Sequence, residues 1–242
     1  MYRHIKRWTL SRAVGYRRPP AGVSLRGDAL AFFPEFDLVF NRIKKAGNSS
    51  VVLTFHDLAE GLPPRSTRDL KSIRGWNAMP LSTLRRAHRL RWLTVVRDPA
   101  ARALSGFLEK VGAGDKPEFE EYAGYGQPTP QGFSVFLADL AVRPLDETDR
   151  HFWPQMDLMV RPLDRFDHVA RLEYLERDMR PVLQAIGRDP DEAGRFARPH
   201  PREVTTEGKI TTRVDKADFL GGPAKAEIAR LYARDYAELD YD

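Results

Sequence analysis

The spacing of apolar and polar positions along the chain predicts strands that are each followed by a helix. The segment FDLVFNRI, residues 36–43, has the β-branched and aromatic composition of a strand and follows a turn at Pro34. After the loop KKAGNSS, apolar positions in SVVLTFHDLAEG recur at helical spacing and stop at a glycine. This stretch predicts a strand, a loop and a helix in that order.

A second strand, loop and helix are predicted over residues 91–111. RWLTVV has the composition of a buried strand, Asp98 is a suitable N-cap, and Pro99 suits the first helical position. The helix has an apolar face made of Ala101, Leu104, Leu108 and Val111.

The remaining patterns extend the alternation of strands and helices. Residues 133–142 predict a short helix, and FDHVARLEYLERDMRPVLQAIG predicts a strand that turns into a helix near Glu173. A final amphipathic helix has Ile228, Leu231, Tyr232 and Leu239 on its inner face. Strands that alternate with helices predict an α/β fold in three layers, with a central, mainly parallel sheet flanked by helices.

Length and composition predict one domain over residues 1–242, because 42% apolar residues suffice for one sizeable core. Within it we expect a basic N-terminal segment, 1–35, and two long loops. The loop at 112–131 is where a substrate-binding surface or lid is expected. The loop at 188–216 has two alternative interpretations. Either Lys209, Thr211, Thr212 and Arg213 form a lid over a bound nucleotide, or the segment is a disordered polar loop.

A net charge of +5 favours anionic ligands such as nucleotides, sulfated glycans, nucleic acid or anionic lipid. The chain has no cysteine, which excludes disulfides and thiolate metal sites. No apolar run approaches the roughly 18 residues of a membrane span, and we expect a cytoplasmic protein. The N-terminus has basic and aromatic residues, namely Arg3, Lys6, Arg7, Trp8, Arg17 and Arg18. They form either a peripheral contact with a membrane surface or an anionic ligand, or a solvated end of the chain.

The loop between the first predicted strand and helix has the chemistry of an anion site. Backbone N–H groups at a helix N-terminus attract anions, Lys45 adds a full charge, and Ser49 and Ser50 add hydroxyl donors. The loop lacks the G-x-x-x-x-G-K-[ST] spacing of a triphosphate loop. A surface lysine before a serine-capped helix explains the same residues without a ligand.

Arg97 ends the second predicted strand, and Ser105 follows it by eight residues on the next helix. Ligands of α/β sheets bind at the carboxyl ends of the strands, so Arg97 and Lys45 are expected to converge on one site. Arginine suits bidentate phosphate binding. The alternative is that Arg97 pairs with a nearby carboxylate and that Ser105 is a small packing residue.

Taken together, these motifs resemble sulfotransferases that use 3'-phosphoadenosine 5'-phosphosulfate (PAPS). Lys-Ala-Gly-Asn-Ser-Ser is similar to their 5'-phosphosulfate loop, and VVRDPAARALSGF to their 3'-phosphate motif. HFWPQMDL resembles the His-Trp-x-Pro-Gln segment of the carbohydrate sulfotransferases that include the chondroitin enzymes. FDHVARLEYLERDMRPVLQAIG and LYARDYAELDYD resemble that family's later motifs, and the matches cover roughly residues 36–242.

The resemblance implies a P-loop-like fold, PAPS as donor, 3'-phosphoadenosine 5'-phosphate (PAP) as product, and a carbohydrate or glycolipid acceptor. It assigns the 3'-phosphate to Arg97 and Ser105. The 5'-phosphosulfate falls to the loop residues Lys45, Ala46, Gly47, Asn48, Ser49 and Ser50. Two departures from the family are Lys44, which stands where a proline is usual, and Phe152, which displaces the tryptophan to Trp153.

The proposed chemistry is an in-line displacement that needs positioning, charge stabilisation and a base. Lys45 is expected to stabilise the sulfuryl oxygens. His151 is the first choice for the base because histidine titrates near neutrality, and the alternative is that it anchors its loop beside Trp153. His56 and then Glu173 are the next choices. The chain supplies cationic donors such as Lys45 and Arg97, and no spacing of histidine and acidic residues suggests a metal site, so no metal is expected.

Two other classes of protein compete with this interpretation. A kinase or NTPase would use a similar strand, loop and helix, but the chain has neither a Walker-type glycine pattern nor a clear aspartate for Mg²⁺. A nucleic-acid-binding domain is suggested only by the basic charge, and its basic residues are scattered along the chain. His88, in one such basic run, is expected at the surface.

Overall fold

The structure, a computed structural model, describes residues 2–15, 29–60, 73–111, 122, 124–125, 128–144, 147–197 and 216–242. The chain forms two compact units. The first contains Met1–Val96 and Asp157–His200, and the second contains Arg97–Met156 and Pro201–Asp242. The expectation of one domain stays a prediction.

Strands and helices alternate through most of the first unit, whereas the described residues of the second unit form helices. The strands are β1 (Leu30–Phe33), β2 (Leu38–Asn41), β3 (Arg91–Val96) and β4 (His168–Arg171). The helices are α1 (Tyr2–Val14), α2 (Asn48–Glu60), α3 (Leu81–Arg85), α4 (Pro99–Val111), α5 (Pro130–Val142), α6 (Gln155–Leu158), α7 (Leu175–Ala185), α8 (Gly194–Ala197), α9 (Lys216–Phe219), α10 (Gly222–Leu231) and α11 (Ala233–Leu239).

The four strands form one sheet in the order β1-β2-β3-β4. β1 pairs antiparallel with β2, whereas β2 pairs parallel with β3, and β3 with β4. The mainly parallel sheet predicted from the sequence is therefore confirmed. Because β2 and β3 run in the same direction, their carboxyl ends lie at the same edge of the sheet.

Side chains on the two faces of the sheet enter two separate apolar cores. One face packs Phe40 and Leu93 against α2 and α7, and the other packs Val39 and Trp92 against α1 and α3. Successive residues of a strand point to opposite faces, so a strand buried on both sides must be apolar throughout. The first unit thus has helix, sheet and helix layers, as predicted.

The second unit has a core built from helices. Aromatic rings of α4 and α5 pack closely, with the ring centres of Phe107 and Phe133 5.0 Å apart and those of Phe107 and Phe136 5.4 Å apart. Ile228 of α10 and the neighbouring Tyr232 complete this core.

Some element boundaries differ from the sequence prediction. The strand expected over 36–43 is shorter, because Pro34–Phe36 forms a 3₁₀ turn and Asp37 has a left-handed backbone with φ of 49°. β1 was not predicted; its four residues are all buried and show no alternation. α5 begins at Pro130 rather than at 133, because Thr129 caps it by accepting a hydrogen bond from the Gly132 N–H.

The expected loop over 188–216 is partly ordered into helix. Pro190–Ala193 forms a 3₁₀ helix capped by Asp189, and α8 follows it directly. Burial explains the order, because Phe196 packs its ring edge-on against Phe55 at 5.0 Å. The predicted lid residues Lys209, Thr211, Thr212 and Arg213 lie outside the described residues, as does most of the expected loop at 112–131.

The two ends of the chain also differ in detail from the expectation. The N-terminus includes α1, which buries Leu10 and Val14 against the sheet, while Arg17 and Arg18 lie outside the described residues. The final helix is divided at Tyr232, whose φ of −114° interrupts it. The predicted inner face is confirmed for Ile228, Tyr232 and Leu239, which are buried.

Candidate functional site

The loop between β2 and α2 turns sharply into the helix. Lys45 and Gly47 both have left-handed backbones, with φ of 66° and 70°. The first hydrogen bond of α2 runs from the Val51 N–H to the Gly47 carbonyl at 3.0 Å. Non-glycine residues rarely adopt the left-handed conformation and often mark functional strain. Lys45 therefore lies at a constrained turn that ends at a helix N-terminus.

Two contacts hold this turn in place. A Cβ on Gly47 would lie 2.7 Å from Cδ1 of Leu172, so only glycine fits without a shift of that side chain. Asn48, at the start of α2, accepts a hydrogen bond of 2.7 Å from Nε of the buried Arg42. A buried charged donor makes such a bond stronger than a neutral one. The loop is thus packed on one side and hydrogen-bonded on the other.

An open groove of about 820 Å³ begins beside this loop. Ser50 forms one wall, and the residues that follow β4 form another, including the exposed ring of Tyr174. The guanidinium of Arg177 lies 4.3 Å from the centre of that ring. Aromatic and cationic groups are the usual contacts for a planar, anionic ligand such as a nucleotide.

The backbone of Arg97 is held from both sides by one buried amide. The Arg97 N–H donates to Oε1 of Gln155 at 3.0 Å, and Nε2 of Gln155 donates to the Arg97 carbonyl at 2.7 Å. Gln155 is fully buried. Arg97 is also the residue that directly follows β3 in the chain. Its position therefore depends on a side chain 58 residues away.

The residues after Arg97 begin α4 as the sequence predicts. Asp98 caps the helix, since its Oδ1 accepts a hydrogen bond from the Ala101 N–H at 2.7 Å. Ser105 is half-buried on the same helix. Next to it, a Cβ on Gly106 would lie 2.7 Å from the ring of Phe152, so the ring packs on the helix backbone. The extra aromatic residue in HFWPQ thus has a packing partner.

His151 and Asp149 form a hydrogen-bonded pair. Nδ1 of His151 lies 2.6 Å from Oδ1 of Asp149, and the other carboxylate oxygen lies 2.8 Å from Nζ of Lys110. Burial raises the pKa of Asp149, but the hydrogen bonds and charge of His151 and Lys110 outweigh burial and hold the pKa well below its usual range. Asp149 is therefore ionised and fixes the histidine ring through Nδ1.

The backbone around His151 is fixed by buried polar side chains. Arg102, fully buried in α4, donates to the carbonyls of His151 and Trp153. The hydroxyl of Tyr232 donates to the Phe152 carbonyl at 2.8 Å. Because buried carbonyls need hydrogen bonds, these donors stabilise one conformation of the segment. His151 itself remains partly exposed, at 23% of its side-chain surface.

Asp235 fixes the end of the same segment. Its two carboxylate oxygens accept hydrogen bonds from the N–H groups of Gln155 and Met156, at 2.7 Å and 3.0 Å. Burial raises the pKa of Asp235, while the charge of Arg102 and these two N–H donors oppose the shift. The carboxylate thus holds the start of α6, where Gln155 lies.

The other candidate bases have different surroundings. His56 is buried on α2, and its Nδ1 lies 3.3 Å from Nη2 of Arg74, which also pairs with Glu35. Because the guanidinium can only donate, Nδ1 is the acceptor and the proton is on the other ring nitrogen. Glu173 is exposed beside the groove, and His88 is exposed as expected.

The structure groups the candidate residues by unit. Lys45, Ala46, Gly47, Asn48, Ser49 and Ser50 form one loop of the first unit, whereas Arg97, Ser105 and His151 belong to the second. Sequence reasoning missed Asp149, Arg102, Gln155 and Asp235 as supporting residues. One signal was present, because Arg102 is a charged residue next to the apolar positions of a predicted helix.

Two other features, a metal-binding cluster and a membrane-spanning helix, are absent from the described residues. They contain no group of three or more histidine, cysteine or acidic side chains placed to bind a metal ion. No helix in the described ranges has the length and apolar character needed to cross a membrane.

The comparison with protein families adds one finding. The model of a family described as the sulfotransferase family matches residues 28–242, which is most of the chain. No curated protein and no solved structure gives a match. The matched range includes the loop that contains Lys45, the Arg97 and Ser105 motif and the His151 segment. The chain therefore belongs to the sulfotransferase family.

Proposed function

We propose that this sulfotransferase transfers the sulfuryl group of PAPS to a hydroxyl of a carbohydrate or glycoconjugate. The observation that carries the proposal is the constrained loop after β2. It combines the left-handed Lys45, the glycine packed against Leu172 and the N-terminus of α2. A cation beside a helix N-terminus is a site for a phosphate or sulfate group.

The proposed step is a direct displacement at sulfur. The acceptor oxygen forms a bond to sulfur while the bond between sulfur and the bridging phosphate oxygen breaks, and PAP leaves with that electron pair. Lys45 stabilises the charge that develops on the bridging and sulfuryl oxygens. N–H groups of the residues from Gly47 to Ser50 hold the 5'-phosphate. No metal takes part in this proposal.

His151 is the proposed base that takes the acceptor proton. Its Nδ1 is bonded to Asp149, which leaves Nε2 as the nitrogen that can accept a proton. An ionised carboxylate behind the ring also stabilises the imidazolium that forms. By contrast, Nδ1 of His56 accepts a hydrogen bond from Arg74, and the other ring nitrogen already carries the proton. Neither nitrogen of His56 can then take the proton of the acceptor.

Arg97 and Ser105 are the proposed ligands of the 3'-phosphate. Arginine binds phosphate with two parallel hydrogen bonds, and such binding requires a fixed backbone. The paired hydrogen bonds from Gln155 supply that fixed backbone. Within the first unit, the groove beside Ser50 exposes Tyr174 and so offers an aromatic ring to a nucleotide held by the Lys45 loop.

The proposal includes peripheral contact of α1 with an anionic lipid surface. Trp8 is 61% exposed and Ile5 is 43% exposed, and the guanidinium of Arg12 lies 5.1 Å from the Trp8 ring centre. Aromatic and basic residues together are typical of helices that bind at membrane interfaces. Sedimentation with phosphatidylserine vesicles should be lost in Trp8→Ala, and equal sedimentation of both proteins would contradict this contact.

An acceptor panel tests the proposed function. The enzyme is incubated with PAPS and with glycans, glycolipids or small phenols, and sulfated products are detected by mass spectrometry. The proposal predicts sulfation of glycans or glycolipids with release of PAP. Sulfation of phenols alone would contradict the acceptor class, and hydrolysis of ATP without use of PAPS would favour a nucleotide triphosphatase.

A further inference from the structure

Arg97 lies outside any helix or strand. Val96 is the last residue of β3, and α4 begins at Pro99. The pairing of β3 with β4 ends at Val96, so other contacts must fix the φ and ψ angles of Arg97. The direction of its side chain then depends on whatever else holds its N–H and carbonyl.

In this chain a single side chain holds both groups. Gln155 accepts from the Arg97 N–H at 3.0 Å and donates to its carbonyl at 2.7 Å. These two bonds imitate the pairing that a neighbouring strand would give. Gln155 is fully buried, so its amide has no water to replace either bond.

Gln155 is in turn fixed by a second buried residue. Asp235 accepts hydrogen bonds from the Gln155 N–H at 2.7 Å and from the Met156 N–H at 3.0 Å. Asp235 is fully buried on α11, and Arg102 provides opposite charge. A shift of Asp235 would therefore move the backbone of Gln155, and through its amide the backbone of Arg97.

We infer that Gln155, held in place by Asp235, is a positioning residue that aims Arg97 at the 3'-phosphate and so makes the enzyme prefer PAP to AMP. This inference rests on the proposed function, because it assumes that Arg97 binds that phosphate. Gln155 does not contact the nucleotide in this account. It acts through the peptide groups of Arg97 alone.

The test compares the dissociation constants of PAP and AMP, measured by calorimetry, in the wild type and in Gln155→Met. Methionine keeps the length and volume of the side chain but loses both hydrogen bonds. PAP should bind roughly tenfold to a hundredfold more weakly, the range found when a hydrogen bond that orients a metal ligand is removed. AMP should bind as in the wild type, because it lacks the phosphate that Arg97 binds.

Tyr232→Phe is the matched control. It removes another buried hydrogen bond from the same segment, the 2.8 Å bond to the Phe152 carbonyl, but leaves the amide of Gln155 in place. Its melting temperature should fall while the ratio of PAP to AMP affinity stays that of the wild type. A fall of the ratio in this control as large as that in Gln155→Met would show that the ratio reports stability alone and would overturn the inference.

Two further measurements keep the test decisive. Asp235→Asn should lower the same affinity ratio by a smaller factor, and an unchanged ratio would contradict the role of Asp235. In the unmodified protein, hydrogen exchange of the Arg97 N–H should be slow. Exchange at the rate of an open amide would overturn the inference even if no variant folds.

The inference and the proposed function fail in different ways. A wild-type protein that binds PAP and AMP equally contradicts the 3'-phosphate site itself and with it the inference. A wild-type protein that prefers PAP, with the same preference in folded Gln155→Met, supports the proposed function and overturns the inference alone.

Discussion

Oδ1 of Asp149 lies 2.6 Å from Nδ1 of His151, while the other oxygen of the same carboxylate pairs with Lys110 at 2.8 Å. The carboxylate thus binds a histidine and a lysine at once. Because both partners stabilise the ionised form, the pKa of Asp149 is held below its usual range. A group whose pKa is lower in the folded state stabilises the fold at neutral pH, and this contribution disappears only in strong acid.

The first prediction concerns the role of His151 as the base. His151→Ala should lower kcat by roughly 10²- to 10⁴-fold, with the PAP dissociation constant unchanged, because that residue takes a proton and does not hold a phosphate. The acid limb of the wild-type rate profile, which reflects protonation of the base, should disappear in this variant. Stopped assays across pH and calorimetric titrations measure both quantities.

Asp149→Asn supplies the comparison for His151. An amide keeps the shape of the carboxylate but loses its charge, so the ring is held without stabilisation of the imidazolium. This variant should also lower kcat, by less than His151→Ala. If His151→Ala instead retains the acid limb and loses both melting temperature and nucleotide binding, the residue anchors its loop and is not the base.

The second prediction separates the two lysines of the loop. Lys45→Ala should lower kcat by about 10²- to 10³-fold, the usual loss when one donor to developing charge is removed. Alanine at this left-handed position bears the same backbone strain as lysine, so the melting temperature should stay close to that of the wild type. Lys44→Ala is the matched control and should retain most activity. Equal rates for both variants would show that Lys45 is not the residue that stabilises the developing charge.

The sequence predicted the fold where each local signal agreed with the final packing. β3 and α4 begin and end where RWLTVV and the Asp98-Pro99 cap indicate. β1 was missed because its four residues are buried on both faces and lack alternation. α8 was missed because its order comes from one long-range aromatic contact, between Phe196 and Phe55.

The sequence likewise predicted only part of the candidate site. Lys45, Arg97 and His151 stand in short motifs, so their residue types and spacing pointed to phosphate binding and proton transfer. Gln155 and Asp235 form their bonds across separations of 58 and 80 residues. No local pattern marks such pairs, and only the folded chain brings them together.

The most direct test of the account follows the sulfur atom itself. The wild-type enzyme is incubated with PAPS labelled with radioactive sulfur and with a glycan acceptor, and labelled glycan and PAP are measured together, with Lys45→Ala as the control. The account predicts label in the glycan, one PAP released for each sulfate transferred, and a rate about 10²- to 10³-fold lower in the variant. Release of PAP with all label in free sulfate, or equal transfer by Lys45→Ala, would contradict it.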